Sequence, residues 1–342
     1  MRTRFKKWSD ACFSESGRSF ATSVGGRLRI WDSASGKLLR GPDLEELSVL
    51  RSVAISADEK NVAVADLTGR VEVWDIAKGK RRKMAYTAIP EGERQDCWVG
   101  PNFLSFSKDG KFLLGGSDQT ANLVNVWSTR KGEFVSRIAG HSQPVKGISW
   151  SPDNELIAAA GRDEAVLIIN SSGNVVRKLS GYWLTAFLPD SKHVVTADSG
   201  TIRKFNVIDV ETGVTTATLV PPGDVELVPH GLAVAPKNDL VAVAFQMGDL
   251  VVWNHKTGNV VYQKKMEIPH HFKESTGAVC FSADGSTLAF SSGGREIWLL
   301  DAKSGKEKLR LKDTSNVVGL SFGKSVLASV ADHHVTLWKP KL

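Results

Sequence analysis

The chain is poor in cysteine and has no long apolar run, and these two shortages set the first bounds. Cys12, Cys97 and Cys280 are the only thiols in 342 residues, far apart and without a CxxC pair. An odd, scattered set suits reduced thiols better than a disulfide framework or a zinc site, so a cytoplasmic protein is expected. No stretch of eighteen apolar residues occurs, so no membrane-spanning helix is expected. The basic start "MRTRFKKWSD" is not followed by an apolar segment, so no secretory signal is read there. Convincing amphipathic helices are also lacking.

Catalytic motifs are equally scarce. There is no GxSxG elbow and no HExxH pair. The stretch "GLSFGKS", Gly319 to Ser325, resembles a phosphate-binding loop, but it is one residue short and sits between strands rather than before a helix. His270-His271 and His333-His334 are adjacent pairs. Neighbours in a strand point to opposite faces, so such a pair seldom ligates one metal. Neither a metal site nor a cofactor is expected.

Charge is moderately one-sided. The formal net charge is +7 with a pI near 9.2, spread along the chain. That permits attraction to acidic partners without requiring nucleic acid. The densest run, "KGKRRK" from Lys78 to Lys83, could touch phosphate. No aromatic residues interleave with it to stack bases, and cations on an outer edge strand discourage edge-to-edge association. The edge-strand reading is the one we take.

What the sequence does contain is a repeat. Eight stretches carry an apolar residue just before a polar turn: Phe13, Ile55, Phe106, Trp150, Phe187, Val234, Phe281 and Phe322. Their spacing runs from 37 residues (Trp150 to Phe187) to 51 (Ile55 to Phe106). Self-similarity at this length signals a repeat architecture. Each unit reads strand, tight turn, strand, turn, strand. In "FSKDGKFLLGG" the Asp109-Gly110 turn suits the positive φ of a short hairpin. The third strand alternates, as in "GRVEVWD", and a Gly-containing turn then leads to a more polar fourth strand. Four antiparallel strands repeated eight times predict an eight-bladed β-propeller, a single domain over 1–342.

The units resemble the WD40-repeat family along essentially the whole chain. Trp31-Asp32 and Trp74-Asp75 carry the signature dipeptide, with Trp127-Ser128, Trp253-Asn254 and Trp338-Lys339 as degenerate forms. Ile169-Asn170, Ile208-Asp209 and Leu300-Asp301 take the same place elsewhere, and Gly140-His141 is the one clear "GH". Asp66, Asp118, Asp163, Asp198 and Asp332 match the Asp of the second turn. The resemblance implies a buried His, Ser/Thr, Asp and Trp network, of which only fragments are visible here. Seven blades remain an alternative if "GYWLTAFLPDSKHVV" is not a full unit. Eight blades also raise quinone-dependent dehydrogenases, but no Trp follows Gly36, Gly213, Gly258 or Gly305 in the fourth strand.

The last unit supplies three strands and stops near Trp338, while "MRTRFKKW" precedes the first unit. Residues 2–7 are therefore expected to complete the last blade and close the ring, which would protect edges otherwise unpaired.

Chain direction places three long connections on one face, the top: 87–100, 220–230 and 265–275. Long loops on a rigid scaffold are where binding usually resides, and Trp98 and Phe272 are their candidate anchors. Four residues before each marker lies the start of the innermost strand, a position that lines the channel mouth in the family this chain resembles. There the ring reads Ser9, Arg51, Asn102, Lys146, Trp183, His230, Gly277 and Val318. Arg51, Lys146, Trp183 and His230, with Asn102 between, suit an acidic peptide bearing an aromatic or apolar side chain. The resulting expectation is a non-catalytic interaction scaffold, a monomeric propeller within a complex, that docks a protein or peptide. A nucleic-acid-associated subunit and an enzyme with a channel cofactor are the alternatives.

Overall fold

The computed structural model describes residues 9–14, 17–24, 27–40, 50–66, 70–83, 103–116, 124–138, 140–198, 204–223, 228–266, 277–292, 294–323, 326–331 and 334–340. Every regular element among them is a β-strand. The strands form eight separate antiparallel sheets, seven of four strands and a last of three, each a meander in chain order.

The first strands of the successive sheets are Ser9–Phe13, Leu50–Ile55, Phe103–Phe106, Val145–Trp150, Tyr182–Phe187, Pro229–Val234, Ala278–Phe281 and Val317–Phe322. Each ends on the marker residue read from the repeat. Each packs against the first strand of the next sheet, and Ser9–Phe13 also lies against Val317–Phe322 and Leu327–Ala331 of the eighth. The chain is an eight-bladed β-propeller with these strands innermost. The weak fifth unit is a full blade, Tyr182–Phe187, His193–Ala197, Phe205–Asp209 and Thr215–Leu219, so the seven-bladed alternative is set aside. Residues 2–7, expected to supply the missing strand of blade eight, lie outside the described residues.

Blade four shows why the strands take these places. Its second and third strands, Leu156–Gly161 and Ala165–Asn170, read "LIAAAG" and "AVLIIN" and are buried almost throughout. A strand covered by sheets on both faces needs a near-continuous apolar run rather than an alternating one. The outermost strand, Val175–Ser180, meets solvent along most of its length. Apolar clusters fill the seams between blades. Phe205, Phe245 and Trp253, all fully buried, join blades five and six. Leu114, Ile138 and Ile157 join blades three and four. Burying each such side chain stabilises the fold by about 1.5–3 kcal/mol.

Two polar devices recur at the turns. After the innermost strand, a serine hydroxyl donates to an aspartate two residues on: Ser56 to Asp58 and Ser107 to Asp109 at 2.7 Å, Ser151 to Asp153 at 2.5 Å, Ser282 to Asp284 at 2.6 Å. Hydrogen bonds from Ser282 and Ser286 hold the Asp284 carboxyl down at about 2. The aspartate of the Trp-Asp dipeptide does similar work after the third strand. Asp32, Asp75 and Asp209 each accept the backbone N–H three residues on at 2.7 Å, and Asp301 does so at 2.9 Å. Asn254 and Ser128 stand in at 3.1 and 3.4 Å. In blade eight the same place holds Lys339, whose ammonium donates instead to the Ala34 carbonyl of blade one.

The innermost strands of blades four and five approach closely at Gly147. A Cβ there would stand 2.9 Å from the Trp183 carbonyl oxygen and 3.1 Å from the Thr185 nitrogen. Both are backbone atoms that cannot swing aside. Gly147→Val is expected to lower unfolding free energy by about 1–3 kcal/mol, read as a shifted urea midpoint, through overpacking.

Candidate functional site

Where the innermost strands begin, the ladder is interrupted at the same register in five blades. Leu50 pairs with Asp66 and Ser52 with Ala65, which leaves Arg51 as the extra residue of a β-bulge. Lys146, His230 and Val318 are extra in the same way in blades four, six and eight. Blade five has two unpaired residues, Trp183 and Leu184. A bulge takes the extra residue out of the ladder and re-aims its side chain. Just before it, Leu50, Val145 and Val317 are fully buried in the seams between blades. Just after it come small residues, Ser52, Gly147, Gly231 and Gly319. In these five blades the bulge takes this position out of pairing with the second strand.

Of the residues expected at this mouth, Lys146, Trp183 and His230 are half-buried and Val318 is exposed. Arg51 takes its place in the strand by the pairing above. Ser9 is paired normally with Val24. Gly277 comes close to blade six, where a Cβ on Gly231 would stand 3.0 Å from the Gly277 carbonyl oxygen. Asn102, Trp98 and Phe272 lie outside the described residues.

Two mouth residues have unusual surroundings. Trp183 has a φ of 61°, a left-handed conformation that a bulky side chain rarely adopts. Its ring lies beside Tyr182, centroids 5.9 Å apart, and beneath the Arg162 guanidinium carbon at 4.7 Å. Arg162 comes from the turn between the second and third strands of blade four, and its N–H donates to the Pro144 carbonyl at the same mouth. Sequence reasoning missed Arg162; the charged turn "GRDE" on the top face was the available signal. His230 has its Nε2 buried without a hydrogen-bond partner among the described residues. Desolvation holds its pKa below the usual imidazole range, so the ring is neutral at pH 7.

At the opposite end of these strands a cavity of about 370 Å³ is walled by Phe13, Ile55, Phe106, Trp150 and Pro152. Four of these five are the repeat's own packing markers. Among the described residues no group of three or more His, Cys, Asp or Glu is placed to hold a metal. Arg81 and Arg82 of the basic run have structural partners: Arg81 meets Glu72 at 3.4 Å, and Arg82 donates to the Thr129 carbonyl of blade three.

Residues 132–170, which include Gly140-His141 and most of blade four, match the family model for the WD domain, G-beta repeat. The chain thus carries a WD40 repeat and is similar to WD-repeat proteins. It is 28% identical over 150 residues to Protein FIZZY-RELATED 2 of Arabidopsis thaliana, covering 44% of this chain and 29% of that protein. Periodic tryptophan protein 2 of the same plant is 25% identical over 191 residues, covering 54% of this chain and 20% of its own length. The plant's WD repeat-containing protein WDS homolog is 26% identical over 258 residues, covering 70% and 47%. The chain thus spans less than half the length of each of these curated relatives.

Within the WD40 blades the polar network survives in two forms. Blade four keeps the imidazole–carboxylate pair, with His141 Nδ1 2.8 Å from Asp163 Oδ1 and the Ser142 N–H donating to Oδ2 at 2.7 Å. Blade eight has a complete four-member chain with the two ionisable groups exchanged. Trp338 Nε1 donates to Ser329 Oγ at 2.9 Å, and Ser329 Oγ donates to Asp313 Oδ2 at 2.6 Å. His334 Nε2 lies 2.6 Å from Asp313 Oδ1. Asp313 thus stands four residues before its innermost strand, where His141 stands in blade four, and the imidazole comes from the later turn. The sequence expectation of fragments alone is corrected for this blade.

The Asp313 side chain is 1% exposed. Burial pushes its pKa up, but hydrogen bonds from Ser329, His334 and the Thr314 N–H outweigh that and hold it below the ordinary carboxylate range. A depressed folded pKa contributes stability that is present above the unfolded value and lost as pH falls through the folded one. Asp313→Ala is expected to cost about 2 kcal/mol at pH 7 in chemical unfolding. The gap between wild type and variant should close as the pH is lowered through and below the ordinary carboxylate range.

Proposed function

We propose that this propeller is a non-catalytic scaffold that docks a protein or peptide partner at the channel mouth where the innermost strands begin. WD40 propellers are typically protein-interaction scaffolds. The fold hosts many activities, so the finer reading has to rest on the mouth itself. The observation that carries it is the coincidence of five β-bulges with the ring of Arg51, Lys146, Trp183, His230 and Val318. A strand that only needs to pack gains nothing from an unpaired residue. One that presents a side chain does.

The ring's composition suits a partner with acidic groups beside an apolar or aromatic side chain. Arg51 and Lys146 supply charge, Trp183 a large apolar surface, and neutral His230 a ring nitrogen that has no partner among the described residues. By chain order alone, Asn102 and the long-loop residues Trp98 and Phe272 are proposed to extend this surface. The engaged state of Arg81 and Arg82 favours the edge-strand role for the basic run over a nucleic-acid groove. In this reading the protein works in the cytoplasm, with no cofactor, metal or catalytic residue.

The test compares wild type with an Arg51→Glu/Lys146→Glu/Trp183→Ala variant in affinity capture from native extract, with circular dichroism as the folding control. A partner held by wild type and weakened at least about tenfold in the folded variant is the expected result. Equal capture by both would move docking to the blade rim and remove the mouth from consideration.

A further inference from the structure

Among the described residues, the mouth has a cation without an ion-pair partner. Arg162 is exposed, and its guanidinium carbon lies over the Trp183 ring, 4.7 Å from the centroid. Among the described residues it has no carboxylate partner, whereas Arg81, Arg310 and Lys265 pair with Glu72, Glu307 and Asp249. The carboxylate next to it in sequence is already committed. Asp163 gives one oxygen to His141 and the other to the Ser142 N–H. Glu164, the next acid, makes no ion pair with it either. The local chain therefore holds a cation in place and withholds the anion.

The ring contact bears on the form in which that cation is offered. A guanidinium lying over an indole face is attracted by the ring quadrupole and keeps the N–H donors along its edge directed outward. Those donors form a planar fork that matches the two oxygens of a carboxylate or phosphate, and a fork already ordered loses little entropy on binding. Trp183 is itself constrained. Its φ of 61° places the side chain out of the ladder, and the bare Gly147 lets the neighbouring strand close against its carbonyl. Blade five supplies the platform and blade four the arm.

We propose that Arg162, seated over the Trp183 ring, is the oxyanion-recognising arm of the docking mouth. It takes an acidic side chain of a peptide partner, carboxylate or phosphate, in a two-point hydrogen-bonded pair. This rests on the docking reading above and adds to it the residue that selects the partner's chemistry. Lys146, on the same strand as Gly147, adds positive potential beside the arm.

The experiment uses the full chain and three fluorescein-labelled decapeptide pools, randomised except for a central phosphoserine, glutamate or serine, followed by fluorescence polarisation. Wild type should bind the phosphoserine or glutamate pool roughly ten- to a hundredfold more tightly than the serine pool. Preference for phosphoserine alone identifies a phosphorylated partner; equal preference identifies a carboxylate one. Arg162→Ala should erase the preference, and Arg162→Lys should restore only part of it, because an ammonium keeps the charge and loses the fork. Equal binding of all pools by wild type, or an unchanged preference in Arg162→Ala, overturns the proposal. If Arg162→Ala binds as wild type does while Lys146→Glu/Trp183→Ala abolishes binding, the docking mouth stands and the arm falls. No binding of any pool by wild type counts against both.

Discussion

A small sheet with two apolar faces cannot exist alone in water, and this molecule has eight of them. Each must cover both faces with a neighbour, so seam packing is the interaction on which everything else depends. The second and third strands carry near-continuous apolar runs because they face a seam on either side. The fourth strands face solvent and are correspondingly polar. Large aromatics such as Trp127 and Trp253 are fully buried in these seams rather than in a central core. The interior of the molecule is thus a set of radial walls, and the space at the axis is left over from their geometry.

That leftover space is shaped by small departures from regular pairing. Bulges recur where the innermost strands begin, and the residues after them are small because adjacent strands converge there. Charge is distributed with the same economy. The aspartates of the repeat close turns, each accepting hydrogen bonds within its own blade. These carboxylates are occupied by the scaffold, and among the described residues Arg162 is left without a carboxylate partner.

Much of the fold was legible because its information is local. An apolar residue before a polar turn marks the end of an innermost strand, and all eight markers do end such strands, even in the weak fifth unit. Counting back four from Ile55, Trp150, Val234 and Phe322 reaches the bulged residue, because the insertion falls at one register in those blades. The bulges themselves were not legible, since an unpaired residue leaves no mark in composition. Nor was the place of Arg162, which depends on how one blade leans on the next. The exchange in blade eight was hidden for a different reason. A hydrogen bond joins imidazole and carboxylate whichever chain position supplies each, so a search for His in one fixed place finds Asp313 and reports a gap.

Trp183 has a consequence for how this chain can change over time. Its left-handed backbone costs on the order of 1–3 kcal/mol for a non-glycine residue. Replacement by glycine would relieve that strain and delete the indole in one step. A screen that rewards thermal persistence alone should therefore drift toward glycine here, while one that rewards retention of the indole platform should resist it. Under the docking proposal, position 183 is a place where robustness and recognition compete, and its occupant in any descendant sequence reports which pressure was stronger.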